Sequence, residues 1–259
     1  MSDRRPIAVL DSGVGGISVL RELLRIMPQE DYLFLGDTKH APYGTKTTEQ
    51  VRRITFDNVR FLLDRGAKAV VVACNTATGA AVRALREAYP DLPVVGIEPA
   101  IKPAVAVCRQ ARVLVCATPL TLRQEKFIRL CERFAAEADI VPLPCPGLME
   151  LVESGAGGSS ALADYLAALF APFVGQRIDA AVLGCTHYPL VRADIAAARQ
   201  AAVGKAVPLF DGGEGTAREA ARRIAAAGLQ NDVGCGRVEF INTQPEQGVA
   251  LFEQFLQTE

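Results

Sequence analysis

At 259 residues, half of them hydrophobic, the chain is long enough for one large α/β domain or two smaller ones with real cores. Lys and Arg number 28 against 29 Asp and Glu, and a net charge of −1 gives no global attraction for nucleic acid or an acidic membrane. No apolar run is long enough to span a bilayer, and Met1-Ser2-Asp3-Arg4-Arg5 leads straight into a strand rather than a signal sequence. A cytoplasmic location is the expectation.

Strand-like and helix-like segments alternate. Ile7–Leu10 reads as a strand, followed by a glycine turn and a helix over Ile17–Ile26. Tyr32–Gly36 is a second strand, and Thr48–Arg65 has helical spacing with a broad apolar face. Ala69–Ala73 is a third strand, Gly79–Ala88 a helix, and Val94–Ile97 a short fourth strand ended by Glu98-Pro99. The pattern then restarts. Helices are expected at Ile101–Val107, Leu122–Phe134, Leu148–Glu153, Ala161–Phe173 and Leu190–Gln200. Strands are expected at Arg112–Cys116, Ile140–Leu143, Ala180–Gly184 and Val207–Phe210. A helix over Gly215–Ala227, a strand near Val238–Ile241 and a helix over Pro245–Leu256 complete the chain.

Such alternation predicts α/β architecture with open, mainly parallel sheets and helices on both faces. The halves echo one another faintly. Val9-Leu10-Asp11-Ser12-Gly13 parallels Val113-Leu114-Val115-Cys116-Ala117, and Val72-Ala73-Cys74-Asn75-Thr76 parallels Leu183-Gly184-Cys185-Thr186. Two pseudo-symmetric lobes are expected, one from residues 1–97 plus 208–259 and one from 98–207. The final helices need a sheet to cover, which is why the chain is expected to return to the first lobe.

Two thiols stand out. Cys74 follows Ala69-Val70-Val71-Val72-Ala73, and Cys185 follows Ala180-Ala181-Val182-Leu183-Gly184. Each run reads as a buried strand delivering a thiol to its C-terminal end, where open α/β sheets place their sites. Cysteine also packs readily in cores. Against plain packing, Asn75, Thr76 and Thr78 offer Cys74 polar partners, and a helix beginning near Thr78 or Gly79 would favour its thiolate. Cys185 has a similar setting, with His187 two residues on and Pro189 suited to a first helical turn.

The remaining five cysteines (108, 116, 131, 145 and 235) fall mainly within helical or strand runs. The odd total of seven, with no C-x-x-C, fits reduced thiols rather than a disulfide framework. His40 and His187 are the only histidines, and Cys185-x-His187 is an incomplete metal-ligand set. Asp11-Ser12-Gly13-Val14-Gly15-Gly16 is either a helix-capping turn or a loop that brings backbone N–H groups and an acid to a ligand. Pro42-Tyr43-Gly44 lies in a polar loop beyond the second strand. Glu153 reads as a solvated helix end unless the fold brings it to His187.

Inverting a stereocentre by proton exchange needs a base on one face of a carbon and an acid on the other. Two thiols meet that need, since a free thiol titrates at about 8.5 and works as either partner near neutrality. With this chemistry in view, Asp11-Ser-Gly-Val-Gly-Gly16, Pro42-Tyr-Gly44, Ala73-Cys-Asn-Thr-Ala77 and Gly184-Cys-Thr-His-Tyr-Pro-Leu190 resemble, in order, the signatures of the glutamate racemases, members of the cofactor-independent aspartate/glutamate racemase superfamily.

The resemblance implies two α/β lobes with an active site between them. It implies interconversion of L- and D-glutamate with no pyridoxal phosphate, metal or nucleotide, supplying D-glutamate for bacterial peptidoglycan. It further implies a homodimer that takes a small-molecule substrate and engages neither nucleic acid nor membrane. In the family pattern Cys74 deprotonates the D-enantiomer and Cys185 the L-enantiomer. Asp11 assists the first thiol; His187, with Glu153 from Leu151-Val-Glu-Ser-Gly155, assists the second. Asp11, Ser12, Pro42, Tyr43, Gly44, Asn75, Thr76, Thr186 and His187 match substrate-contacting positions. Thr118 matches a substrate loop, although Ala117 stands where glycine is more usual, and Asp211-Gly-Gly-Glu-Gly215 departs from the commoner form of its region.

Other classes make different predictions. A sister racemase would take aspartate, a hydantoin or another small acid. A Cys-His hydrolase using Cys185 and His187 would leave Cys74 without a role. A ligand-binding protein on the same lobes would need neither thiol. A pyridoxal enzyme would require a Schiff-base lysine and a phosphate cup, which no segment provides together.

Overall fold

The computed structural model describes residues 2–257 and divides them into two compact units. The first unit begins with β1 (Ile7–Asp11), α1 (Ile17–Ile26), β2 (Tyr32–Gly36), α2 (Thr48–Asp64), β3 (Ala69–Val72), α3 (Asn75–Ala88) and β4 (Val94–Gly96). The second, Pro99–Gly212, contains α4 (Ile101–Val105), β5 (Ala111–Ala117), α5 (Pro119–Arg123), α6 (Glu125–Phe134) and β6 (Ala138–Pro144). It continues with α7 (Leu148–Glu153), α8 (Ser160–Phe170), β7 (Ala180–Leu183), α9 (Arg192–Val203) and β8 (Leu209–Asp211). The chain then returns to the first unit as α10 (Gly213–Ala226), β9 (Val238–Asn242) and α11 (Ala250–Gln257).

The first sheet has the order β4-β3-β1-β2-β9 and the second β6-β5-β7-β8. Every pairing in both is parallel. Parallel strands covered on both faces read as unbroken apolar runs, which β1, β2 and β3 show: every residue in them is buried. The two orders correspond, with β4-β3-β1-β2 matching β8-β7-β5-β6. The echo in the sequence is therefore a repeated topology, in which β3 and β7 occupy equivalent places.

Each sheet is clad on both sides. In the second unit Val113 and Val115 of β5 face a core with Ile101, Phe127 and Phe134, while Leu114 and Cys116 face one with Leu148, Leu162 and Phe170. This is the two-residue alternation of a strand carried through to two separate cores. In the first unit α1 buries Ile17, Val19, Leu20 and Leu23 and packs beside α10, while α2 packs beside α3. A reciprocal cap starts α2: Thr47 Oγ1 accepts from Gln50 N at 3.2 Å, and Gln50 Oε1 accepts from Thr47 N at 2.9 Å.

Several boundaries differ from the sequence expectation. The return to the first unit falls at Gly213 rather than at residue 208, because Leu209–Asp211 pairs with β7 and completes the second sheet. The helix expected over Leu122–Phe134 is two helices, broken where Gln124 takes extended backbone (φ −71°, ψ 139°). The last helix is likewise interrupted, at Gly248 with φ +64°, where glycine tolerates the left-handed region. Among the described residues no helix is long and apolar enough to cross a membrane.

Candidate functional site

In the first unit the candidate residues gather at the C-terminal ends of β1 and β3. Ala73 N donates to Leu10 O at 2.8 Å and extends the ladder by one residue, so Cys74 emerges where the strand stops. The helix that follows begins at once, at Asn75, and not near Gly79. Cys74 is its N-cap residue, and Sγ accepts from Ala77 N at 3.5 Å. The positive end of α3 is thus aimed at the sulfur. The thiol donates to Ser12 Oγ at 3.6 Å.

Asp11 closes β1 and is fully buried, with Oδ2 accepting from Gly13 N at 3.1 Å. Neither Asp11 nor Ser12 caps α1; Gly16 holds that position with no side-chain cap. Glycine is required there for a different reason. A Cβ on Gly16 would lie 2.5 Å from Asp11 Cβ, so the turn folds directly over the acid. Asn75 and Thr76 are buried in the first turn of α3, and Asn75 Oδ1 has no hydrogen-bond partner among the described residues. Such a buried acceptor fits a ligand that brings a donor.

Pro42, Tyr43 and Gly44 form a tight turn region after β2, with Tyr43 buried. The Tyr43 hydroxyl donates to Asp37 Oδ2 at 2.5 Å. Asp37 also accepts from Asn58 Nδ2 at 2.9 Å and Thr243 Oγ1 at 2.8 Å, and lies 2.8 Å from His40 Nδ1. Burial, then the Asp37 carboxylate, pushes the Tyr43 phenol well above its ordinary value; Cys74 and Asp11 are near enough to add to the effect. With its proton committed to Asp37, Tyr43 shapes the loop from behind. Sequence reasoning misses this anchor, whose partners are spread from residue 40 to residue 243.

In the second unit Gly184 N donates to Cys116 O at 2.7 Å, holding the last turn of backbone before Cys185 against β5. A Cβ on Gly184 would sit 2.9 Å from that same carbonyl oxygen. Cys185 Sγ lies 3.8 Å from His187 Nδ1, and His187 Nε2 lies 2.9 Å from Glu153 Oε1. Glu153 is therefore not a solvated helix end: it completes a chain of thiol, imidazole and carboxylate. Burial alone would push the imidazole down, but its hydrogen bonds to Cys185 and Glu153, and their charges, hold His187 well above the usual value. Thr186 is buried between them in sequence. Thr118 follows β5 and caps α5, its Oγ1 accepting from Thr121 N at 3.3 Å and donating to Thr121 Oγ1 at 2.9 Å.

The structure thus brings Asp11, Ser12, Cys74 and Tyr43 together in one unit, and Cys185, His187 and Glu153 together in the other. Among the described residues no cluster of three or more His, Cys, Asp or Glu side chains could hold a metal ion.

The family model described as Asp/Glu/Hydantoin racemase matches residues 7–220. A glutamate racemase of Clostridium perfringens is 46% identical over 228 residues, covering 88% of this chain and 86% of its own. The crystal structure of glutamate racemase from Francisella tularensis in complex with D-glutamate aligns at a TM-score of 0.84 and 28% identity, over 99% of this chain and 95% of that one. The Escherichia coli glutamate racemase in complex with L-glutamate and the activator UDP-MurNAc-Ala aligns at a TM-score of 0.83 and 30% identity, over 97% and 95%.

Proposed function

The chain belongs to the Asp/Glu/hydantoin racemase family and is an amino-acid racemase, and from that premise we propose that it interconverts L- and D-glutamate by a two-thiol proton transfer. The observation that carries this reading is the matched placement of Cys74 and Cys185. Each sits at the end of an equivalent strand, and each has its own proton partners.

In the D-to-L direction the Cys74 thiolate removes the α-proton, and the Cys185 thiol returns one to the opposite face. In the other direction the roles exchange. The amide N–H groups at the start of α3 stabilise charge on Cys74 Sγ. Asp11, buried at the end of the adjacent strand, assists that thiol. On the other side His187 donates toward Cys185 when that sulfur carries charge, and Glu153 holds the imidazole protonated. Asn75 Oδ1 accepts from the substrate ammonium. Ser12, the Pro42-Tyr43-Gly44 turn, Thr76, Thr118 and Thr186 complete the substrate contacts. The chemistry needs no cofactor, because the thiols themselves supply and accept the proton. The product D-glutamate feeds peptidoglycan, and the enzyme works as a cytoplasmic homodimer.

The test is circular dichroism of D-glutamate incubated in deuterated buffer with metal-free, pyridoxal-free protein, followed by mass analysis of the α-position. Loss of rotation with uptake of one deuterium is expected, and Cys74→Ser and Cys185→Ser should each cripple turnover. Absence of both signals in folded, reduced protein removes glutamate as substrate and turns attention to aspartate and hydantoins. Full activity in either cysteine variant overturns the two-thiol mechanism.

A further inference from the structure

The loop Cys185-Thr186-His187 is held at its entry by the Gly184–Cys116 hydrogen bond. It exits through a short 3-10 turn, Tyr188–Val191, into α9. Within it, Tyr188 N donates to Cys185 O at 3.2 Å and Leu190 N to His187 O at 3.1 Å. The first residue of α9 is Arg192. Its guanidinium reaches across to β8, where Nη1 donates to Leu209 O at 3.0 Å and Nη2 to the Asp211 carboxylate. β8 is the neighbour of β7, with Leu183 registered against Asp211. One side chain therefore ties the end of the loop to the strand beside the one that feeds it.

We infer that Arg192, through Leu209 and Asp211, is a positioning residue that sets the pose of Cys185 and His187. This rests on the racemase reading and extends it to a residue outside the loop. Arg192 and Asp211 are both partly exposed, at 42% and 25%, so their attraction adds little to stability. Its worth is geometric. A planar guanidinium that satisfies a carbonyl and a carboxylate at once fixes both the distance and the direction between α9 and β8. Misplacement by about 1 Å costs on the order of 100-fold in a reaction of this kind, so slack of a few tenths of an ångström is expected to cost about three- to tenfold.

Thermodynamics supplies the readout. Enantiomers have equal free energy, so kcat/KM must be the same in both directions in every variant. Isotope effects carry no such constraint. If only the Cys185 half loosens, the proton transfer at Cys185 becomes more rate-limiting and that at Cys74 less so. The primary isotope effect should then rise with α-deuterated L-glutamate and fall with α-deuterated D-glutamate.

The experiment compares the wild-type chain with Arg192→Met, which keeps the aliphatic stem, Arg192→Lys, which keeps the charge, and Asp211→Asn, which keeps the shape of the acceptor. Arg192→Met and Asp211→Asn should each lower kcat about three- to tenfold with little change in KM or thermal midpoint, and split the isotope effects as described. Arg192→Lys, which retains part of the tie, should show a smaller split than Arg192→Met. An active wild type whose variants show unchanged isotope effects, or equal changes for both enantiomers, overturns the positioning role alone. If Arg192→Met does not fold, Asp211→Asn decides the matter. A wild type inert toward glutamate overturns the racemase reading and this inference with it.

Discussion

Gly184→Ala tests whether the backbone before Cys185 is as tightly specified as it looks. The added Cβ would lie 2.9 Å from Cys116 O and 3.1 Å from Ala117 Cβ. Ordinary contacts begin near 3.4 Å, so about 0.5 Å must be found. The obstructing oxygen belongs to the backbone of β5, and it already accepts the Gly184 N–H at 2.7 Å. Neither strand can retreat without stretching that bond. Overpacking of this kind costs about 1–3 kcal/mol, equivalent in a chain of this size to a melting point lower by about 2–6 °C. Because Cys185 is the next residue, it inherits the shift, and about 0.5 Å translates to roughly tenfold lower turnover. Differential scanning calorimetry and α-deuterium exchange measure the two effects. Gly215→Ala is the control: it lies in α10 with open space around its Cβ, and should leave turnover unchanged while adding about 0.5–1 kcal/mol of stability. A Gly184→Ala protein with wild-type melting and turnover would refute the claim that this close approach fixes the thiol.

Three further outcomes follow from buried charge. His187 has a raised pKa in the folded state, so the native protein holds its proton more tightly than the unfolded chain does. That stabilisation is full below the unfolded value of about 6.5 and is lost as pH rises through the higher folded value. The stability difference between wild type and His187→Asn, from urea unfolding, should therefore shrink as pH increases; a difference that widens would contradict it. Lys68 Nζ is fully buried 2.6 Å from Glu30 Oε2 and also donates to Asp3 O. Lys68→Met strands the Glu30 carboxylate and should cost about 3–5 kcal/mol, most of it recovered in Lys68→Met/Glu30→Leu; denaturation midpoints decide. Burial, with Glu132 adding, pushes the Cys131 thiol up to about 11. Timed alkylation at pH ~8 with peptide mapping should modify exposed Cys108 and Cys235 well before Cys131, and early labelling of Cys131 would count against its shielding.

What could be read from the sequence, and what could not, divides by the range of the interaction. Val70-Val71-Val72 and Ala180-Ala181-Val182 announced themselves because a parallel strand buried on both faces has no polar side to show. The thiols were legible for the same reason, as the first non-apolar chemistry after each run. The start of α3 was not, because cysteine ranks low among capping residues, and Cys74 caps through a weak sulfur acceptor at 3.5 Å. The strand near Val207–Phe210 was recognisable, but local pattern says nothing about which sheet it joins; pairing with β7 decided that and moved the unit boundary. The supports of the candidate residues were hidden altogether. Tyr43 is held by Asp37, which in turn is held by Asn58 and Thr243, and the Cys185 loop is tied to β8 by Arg192. An aspartate after a strand or an arginine opening a helix is common, and only the tertiary partner makes either one specific. Glu153 shows the same division in one residue. On its own helix it is an ordinary acidic end, and 34 positions later in the chain His187 gives it a role. Residues that carry the proton are thus marked by their own chemistry and local setting, whereas residues that aim them are marked only by what they touch. Substitutions of the second kind, such as Arg192→Met, are accordingly where a structure adds most to a sequence.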